Sequence, residues 1–138
     1  MLFNEEIYRD DKKLLDFNND NIILRKAVRA IILKDKKILM VFLEKTKEYK
    51  FPGGGVEENE IIEEALKREV LEEVGYNVNK IIEKIGIVTE YSMAKEGKGN
   101  IFKMVSEYYI VNIDNNKNKQ ELDDYEMELK PGSVQKIC

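Results

Sequence analysis

Three glutamates at helical spacing are the residues of this sequence best suited to chemistry. Glu69, Glu72 and Glu73 stand at positions i, i+3 and i+4, so on a helix they share one face. The aliphatic residues of the preceding turns lie on that same face, which is therefore expected to pack against the core. Carboxylates this close together repel one another, and more strongly away from water. Their placement on an inward face indicates a cation that neutralises them.

The alternative is that these acids only form a solvated helix face, which is the usual meaning of a run of charges. That alternative fits poorly, because the aliphatic residues place the glutamates on the inward side. The chain has no histidine and one cysteine, Cys138, which excludes Ser-His-Asp and Cys-His catalysis and a Cys/His zinc site. Oxygen ligands without nitrogen or sulfur favour Mg²⁺ or Mn²⁺.

A triplet of glycines, Gly53 to Gly55, follows Pro52 shortly before the glutamates. Without side chains, this backbone can approach a ligand closely. A glycine triplet alone is usually a turn, but beside three glutamates it is expected to form one side of the site. Its spacing matches neither the GxGxxG nor the GxxxxGK[ST] phosphate-binding pattern.

The local patterns also predict the elements that position these residues. Two aliphatic segments from residue 22 onward flank Lys34-Asp35-Lys36 and predict a β-hairpin. A helix is predicted over Glu60–Val74, with Asn59 as its N-cap and Gly75 after its end. Two further strands are expected at residues 81–90 and 101–113. The order strand, strand, helix, strand, strand predicts a mixed α/β domain.

Length and composition predict a single globular domain over residues 1–138. Residues 1–20 are expected to be a loosely structured lead-in and residues 130–138 an irregular tail. The net charge of −4 argues against stable nucleic-acid binding and a membrane-surface role, which favour a basic excess. The absence of a signal-peptide pattern, a long apolar run and a second cysteine predicts a cytoplasmic protein.

The glutamates belong to a longer pattern that resembles the signature of the Nudix hydrolases. The chain has Gly54, five residues, Glu60, seven residues and then Arg68-Glu69-Val70-Leu71-Glu72-Glu73-Val74-Gly75-Tyr76. Each defined position matches, although an aliphatic residue is commoner at Tyr76. A chance match is on the order of 10⁻⁶ per chain, so the motif is specific.

The resemblance implies an α/β/α sandwich with a mixed sheet and a metal-dependent pyrophosphohydrolase. Its substrate would be a nucleoside diphosphate linked to another moiety, attacked by water at phosphorus. Glu69 and Glu73 would be the main ligands of Mg²⁺ or Mn²⁺, with Glu72 alongside and the carbonyl of Gly53 as a backbone ligand. Glu69 is the first choice as general base.

The same resemblance implies supporting roles for other residues. Arg68 belongs to the catalytic set, and it mainly holds loop and helix in place together with Glu60. Because the general base varies within the family, three more glutamates are candidates for it: Glu90, Glu96 and Glu107. Substrate binding is expected from two glycines of the loop and two aromatic residues before it: Gly54, Gly55, Tyr49 and Phe51.

The substrate expected by default is a nucleoside triphosphate or a related small nucleotide, because several markers of other family branches are missing. Tyr91 lies near the tyrosine of the dinucleoside polyphosphate branch, but a tyrosine in a strand more often packs against its neighbours.

Family members usually continue into another strand and a helix, whereas Pro131-Gly132 would stop a helix over residues 121–130. An incomplete sandwich at this end would be compatible with a homodimer.

Two other functions compete with an active hydrolase. One is a catalytically silent Nudix-type domain that binds a nucleotide as a sensor, which a broken glutamate set would favour. The other is a structural interaction domain whose acidic helix only adds solubility. The inward placement of Glu69 and Glu73 counts against that second alternative.

Overall fold

The computed structural model of the chain describes residues 1–10, 21–93, 100–117 and 134–137. These residues contain one helix, which stands between the fifth and sixth strands along the chain, so the predicted mixed α/β class is confirmed. The elements are β1 (Phe3–Tyr8), β2 (Asn21–Lys34), β3 (Lys37–Leu43), β4 (Glu48–Lys50), β5 (Gly53–Gly55), α1 (Ile62–Val74), β6 (Tyr76–Met93), β7 (Asn100–Lys117) and β8 (Val134–Ile137).

The strands form a mixed sheet in the spatial order β1-β6-β7-β2-β3-β4, with β5 paired to β2 and β8 paired to β3. β1 is parallel to β6 and β2 is parallel to β7, whereas β6 and β7 are antiparallel. The predicted hairpin of β2 and β3 is confirmed. Its two turn residues, Asp35 and Lys36, have φ angles of 53° and 65°, which match the twist of the strands they join.

Helix α1 ends where the sequence predicts and begins later than predicted. Gly75 has φ 75°, and its N–H donates to the carbonyl of Leu71 at 3.0 Å, which closes the helix. The prediction of Asn59 as N-cap is wrong, because Ile61 holds that position and Asn59 is a loop residue with φ 65°. Glu60 stays in the loop because its carboxylate accepts the N–H of Glu57. No helix in the described ranges has the length and apolar character to cross a membrane.

The core lies between α1 and the face of the sheet that β2, β3 and β7 provide. Ala65, Leu66, Val70 and Val74 of the helix are fully buried against it. Removing this apolar surface from water is the main term that favours folding, and it fixes the rotation of the helix about its axis. The strand residues of the same cluster are Val28, Ala30, Ile32, Leu39, Val41 and Val111.

Two predictions about the ends of the chain are wrong for the residues that the structure describes there. Phe3–Tyr8 is a regular strand at the edge of the sheet instead of a loose lead-in. Val134–Ile137 pairs with β3 instead of forming part of an irregular tail. Local patterns miss such strands because a partner far along the chain holds them. The helix considered for residues 121–130 lies outside the described residues.

Candidate active site

The glycine triplet approaches β2 so closely that no side chain fits at its first position. A Cβ on Gly53 would lie 1.9 Å from the carbonyl oxygen of Val28, and the φ of Gly53 is 151°. Arg29 holds the same loop, because its Nη1 donates to the carbonyl oxygens of Phe51 and Gly53 at 3.1 and 3.0 Å. The pairing of β5 with β2 and this guanidinium therefore fix Gly53–Gly55, which we call the glycine loop, in front of α1.

Glu73 reaches under the glycine loop and is one of two buried polar residues within the described part of the chain. Its side chain is 4% exposed. Oε1 accepts the N–H of Gly53 at 3.1 Å, and Oε2 pairs with Nζ of Lys50 at 3.0 Å. Burial raises the pKa of Glu73 above its ordinary value, and the charge of Lys50 opposes this rise. The loop and the helix are thus joined through one buried carboxylate.

Glu69 lies one helical turn before Glu73 and packs against the second glycine of the loop. A Cβ on Gly54 would lie 2.7 Å from both carboxylate oxygens of Glu69. The side chain of Glu69 is 13% exposed, and it accepts a hydrogen bond from Nη1 of Arg68 at 2.8 Å. The absent side chain at Gly54 therefore makes the space that the Glu69 carboxylate occupies.

Arg68 is the cation that ties these groups together. Its Nε and Nη2 donate to the two carboxylate oxygens of Glu60 at 2.7 and 2.8 Å, and Nη2 also donates to the carbonyl of Gly55 at 3.0 Å. Nη1 donates to Glu69 at 2.8 Å and to Glu72 at 3.4 Å. Hydrogen bonds from Arg68 lower the pKa of Glu60 to about 2, and the same bonds raise the pKa of Arg68.

Glu69 and Glu73 therefore lie against the glycine loop and Glu72 is linked to Glu69 through Arg68, but protein cations already pair with all three. Arg68 contacts Glu69 and Glu72, while Lys50 contacts Glu73. Within the described ranges, no three acidic side chains converge on one point as a preformed metal-binding group. The structure thus brings the predicted carboxylates to the loop without merging them into one cluster.

The two aromatic residues predicted to bind substrate are separated. The ring of Phe51 meets Tyr108 of β7 edge to face, with centroids 6.0 Å apart. Tyr49 instead packs on Phe42 of β3, with centroids 4.9 Å apart, and is 46% exposed. Phe51 therefore stays beside the loop near Arg29, whereas Tyr49 belongs to the small sheet of β3 and β4.

The further candidates for a general base have partners outside the loop. Glu90 accepts hydrogen bonds from Nε and Nη2 of Arg9. Glu107 accepts the hydroxyl of Tyr109 at 2.6 Å and pairs with Lys84 at 3.4 Å. Glu96 lies outside the described residues. Of the candidate bases, Glu69 is the one that the structure places against the glycine loop.

Sequence reasoning missed two cations of the site, Lys50 and Arg29. Lys50 is 23 positions before the glutamate that it contacts, and Arg29 is 24 positions before Gly53. Helical periodicity cannot report such long-range contacts. The available signal was the unbalanced charge of the inward glutamates, which required cations from another element.

Comparison with known proteins shows which family the chain resembles over most of its length. The family model described as NUDIX domain matches residues 23–133. The chain is 31% identical over 98 residues to an RNA pyrophosphohydrolase of Sulfurovum sp. (strain NBC37-1), a match that covers 64% of this chain and 62% of that protein. The chain thus spans less than two thirds of the length of this relative.

Two solved structures share the fold at low sequence identity. The solution structure of the E. coli ORF135 protein has a TM-score of 0.56 at 21% identity, covering 84% of this chain and 74% of that one. The crystal structure of a MutT NUDIX hydrolase from Burkholderia pseudomallei has a TM-score of 0.53 at 22% identity, covering 70% of this chain and 73% of that one. At this identity the likeness concerns the fold alone.

Proposed function

This chain belongs to the Nudix family, and we propose that it is a pyrophosphohydrolase that depends on a divalent cation. Its substrate is a nucleoside diphosphate linked to another moiety, and water attacks at phosphorus without a covalent enzyme intermediate. Mg²⁺ or Mn²⁺ is the cation, because the acidic side chains of the site offer only oxygen. The predicted cytoplasmic location and a homodimer stay predictions of the sequence.

The observation that carries this proposal is the position of Glu73. An ionised carboxylate loses favourable hydration when it is buried, so its burial requires a neutralising partner. Glu73 is nevertheless 4% exposed, directly under the N–H of Gly53. A purely structural helix would gain stability from an apolar residue here. The buried acid beside a glycine loop is therefore best explained as part of a charged site.

The acidic residues of the site fit a divalent cation in their chemistry, because their side chains offer only oxygen ligands. Nη1 of Arg68 lies within 2.8 Å of Glu69 and 3.4 Å of Glu72, so one positive group already stands between two carboxylates. Gly54 keeps the approach to Glu69 open. We propose Glu69, Glu72 and Glu73 as the side chains that hold the cation, with the Gly53 carbonyl as a backbone ligand once Arg29 releases it.

The bound cation would neutralise the phosphates and lower the pKa of a bound water. The protein side chains supply the rest. Glu69 takes the proton of the attacking water, because it is the candidate base nearest the loop. Arg68 and Glu60 keep the helix and the loop in register through their paired hydrogen bonds. The backbone of Gly54 and Gly55 leaves room for the phosphates.

We propose a nucleotide as substrate, with the base near Phe51. The Phe51–Tyr108 ring pair lies beside the loop that Arg29 holds, which supports a base-binding surface next to the position that we propose for the phosphates. Because a relative is named as an RNA pyrophosphohydrolase, the 5′-triphosphate end of RNA belongs among the candidate substrates.

The alternative is a nucleotide-binding sensor without catalysis. One observation favours it: Arg68 and Lys50 already neutralise the three glutamates, so the folded protein does not require a metal. The complete glutamate set favours the enzyme instead. Binding of a nucleotide without its cleavage would distinguish the sensor.

The experiment is a release assay over a panel of phosphoanhydrides. Nucleoside triphosphates, ADP-sugars, dinucleoside polyphosphates and a 5′-triphosphorylated RNA are incubated with the protein in Mg²⁺, in Mn²⁺ and in chelator. We expect cleavage of at least one compound with metal and none with chelator. Cleavage that persists in chelator would contradict the metal dependence, and binding without cleavage would support the sensor.

A further inference from the structure

Two different kinds of cation neutralise the glutamates of the site. Arg68 is engaged by Glu60, Glu69 and the carbonyl of Gly55, so its guanidinium has several fixed partners. Lys50 pairs with Glu73, the single acid that its ammonium contacts among the described residues. Several hydrogen bonds therefore hold the Arg68 side chain in place, whereas Lys50 can leave Glu73 by breaking one ion pair.

The position of Lys50 suits a side chain that moves between two partners. It lies at the end of β4, three residues before Gly53, and its side chain is 31% exposed. Lysine has three N–H donors on a flexible stem, whereas arginine has a rigid fork. The ammonium can thus turn towards the open side of the loop without disturbing the backbone. Glu73 cannot follow, because the N–H of Gly53 and the helix hold it in place.

We propose that Lys50 is an exchangeable counter-ion that pairs with Glu73 in the metal-free protein and with a phosphate of the substrate in the loaded protein. This inference rests on the proposed function, since it needs a divalent cation at Glu73. A buried carboxylate left without a cation is unfavourable, so Lys50 leaves only when another positive charge replaces it. The diphosphate then offers the released ammonium a stronger negative partner next to the loop.

The first test measures metal affinity without any substrate. Mn²⁺ binding is followed by electron paramagnetic resonance at fixed pH in the wild type, in Lys50→Met and in the control Lys67→Met. Lys67 pairs with Glu63 on the outer face of α1 and is 49% exposed. Without the competing ammonium, Lys50→Met should bind Mn²⁺ about tenfold more tightly, since a like charge beside the cation is removed. Lys67→Met should match the wild type.

The second test measures the other half of the exchange with methylenediphosphonate, a diphosphate analogue that is not hydrolysed. At saturating Mn²⁺, calorimetry should show that Lys50→Met binds it about tenfold more weakly than the wild type, because one charged hydrogen bond is lost. The two affinities thus change in opposite directions. If the methionine variant does not fold, Lys50→Gln gives the same two comparisons, because its amide removes the charge but can still donate a hydrogen bond to Glu73.

A purely structural Lys50 predicts different results. Its loss would lower stability and leave Mn²⁺ affinity unchanged or weaker, and the diphosphonate would bind as in the wild type. Unchanged or weaker Mn²⁺ binding in the Lys50 variant, or unchanged diphosphonate binding, would contradict the proposed exchange of Lys50 between two partners. Wild-type protein that binds no Mn²⁺ would contradict it as well. Both measurements are made without turnover. A wild type that shows the exchange but cleaves nothing in the release assay would therefore refute the proposed function alone.

Discussion

Glu60 and Glu73 belong to the same site, but their pKa values move in opposite directions. Hydrogen bonds from Arg68 lower the pKa of Glu60 to about 2, whereas burial raises the pKa of Glu73 despite the nearby Lys50. Glu60 receives a paired guanidinium and a backbone N–H, so its charged form is fully hydrogen-bonded. Glu73 is more deeply buried, and the one ammonium group that pairs with its carboxylate is that of Lys50. Its charge therefore depends on the cation beside it.

The shift of Glu60 predicts a loss of stability in acid. Its pKa falls from an ordinary 4.5 to about 2 on folding, so the folded state releases the proton more readily. That stabilisation is complete above pH 4.5 and is lost as the pH falls towards 2. In urea unfolding, the wild type should lose stability over this range more steeply than Glu60→Gln. Equal slopes would show that Glu60 is not the responsible group.

The position of the glycine loop against helix α1 could be predicted only in part. Helical periodicity correctly placed Glu69 and Glu73 on the inward face, and the glycine triplet correctly marked a backbone close to them. The predicted start of the helix at Glu60 was wrong, because the carboxylate of Glu60 bonds to the N–H of Glu57 and to Arg68 eight residues later, and the helix begins at Ile62. The helix propensities of neighbouring residues cannot predict this contact between Glu60 and Arg68.

The fit between Gly54 and Glu69 predicts a specific effect of one methyl group. In Gly54→Ala the new Cβ would lie 2.7 Å from the Glu69 carboxylate, which must move. In the matched control Gly55→Ala, the nearest atoms are 3.9 and 4.0 Å away, which is ordinary contact. We expect kcat/KM to fall about 10²-fold in the first variant and clearly less in the second, whose added methyl group enters the space proposed for the phosphates but leaves Glu69 in place. Equal activities would contradict the assigned position of Glu69.

The edge strand β1 also makes a testable contact. Gly86 of β6 faces the ring of Phe3, and a Cβ there would lie 2.2 Å from it. Gly86→Ala should therefore destabilise the protein by about 1–3 kcal/mol through overpacking. In the Phe3→Ala background the same change should be nearly neutral, because the ring is gone. Additive effects in this double-mutant cycle would mean that the ring of Phe3 does not lie against residue 86.

For the whole molecule, the net charge of −4 opposes the approach of a polyanionic substrate. Arg29, Lys50 and Arg68 lie around the glycine loop and offset most of the negative charge of the neighbouring glutamates. Composition alone predicted the acidic balance, but it could not show that the cations gather at one place. Their sequence positions are far apart, and the folding of β2 and β4 next to α1 brings them together.

A cation that binds only the folded protein should also raise its thermal stability. At a concentration about 100 times its dissociation constant, the gain is about 2.7 kcal/mol, or roughly 10 °C in Tm for a domain of this size. Calorimetry in Mn²⁺ and in chelator measures it. Because Glu69→Gln removes a proposed ligand, we expect a smaller rise in that variant. An equal rise would place the binding site elsewhere.

The most direct test of the account compares one buried and one exposed glutamate of the same helix. Glu73→Gln keeps the size of the buried side chain and removes its charge, while Glu63→Gln changes an acid that pairs with Lys67 on the exposed face. On the best substrate of the release assay with Mg²⁺, we expect kcat/KM to fall about 10²- to 10³-fold in Glu73→Gln and to stay within about twofold in Glu63→Gln. Folded Glu73→Gln protein that hydrolyses the substrate at the wild-type rate would contradict the role assigned to the buried carboxylate.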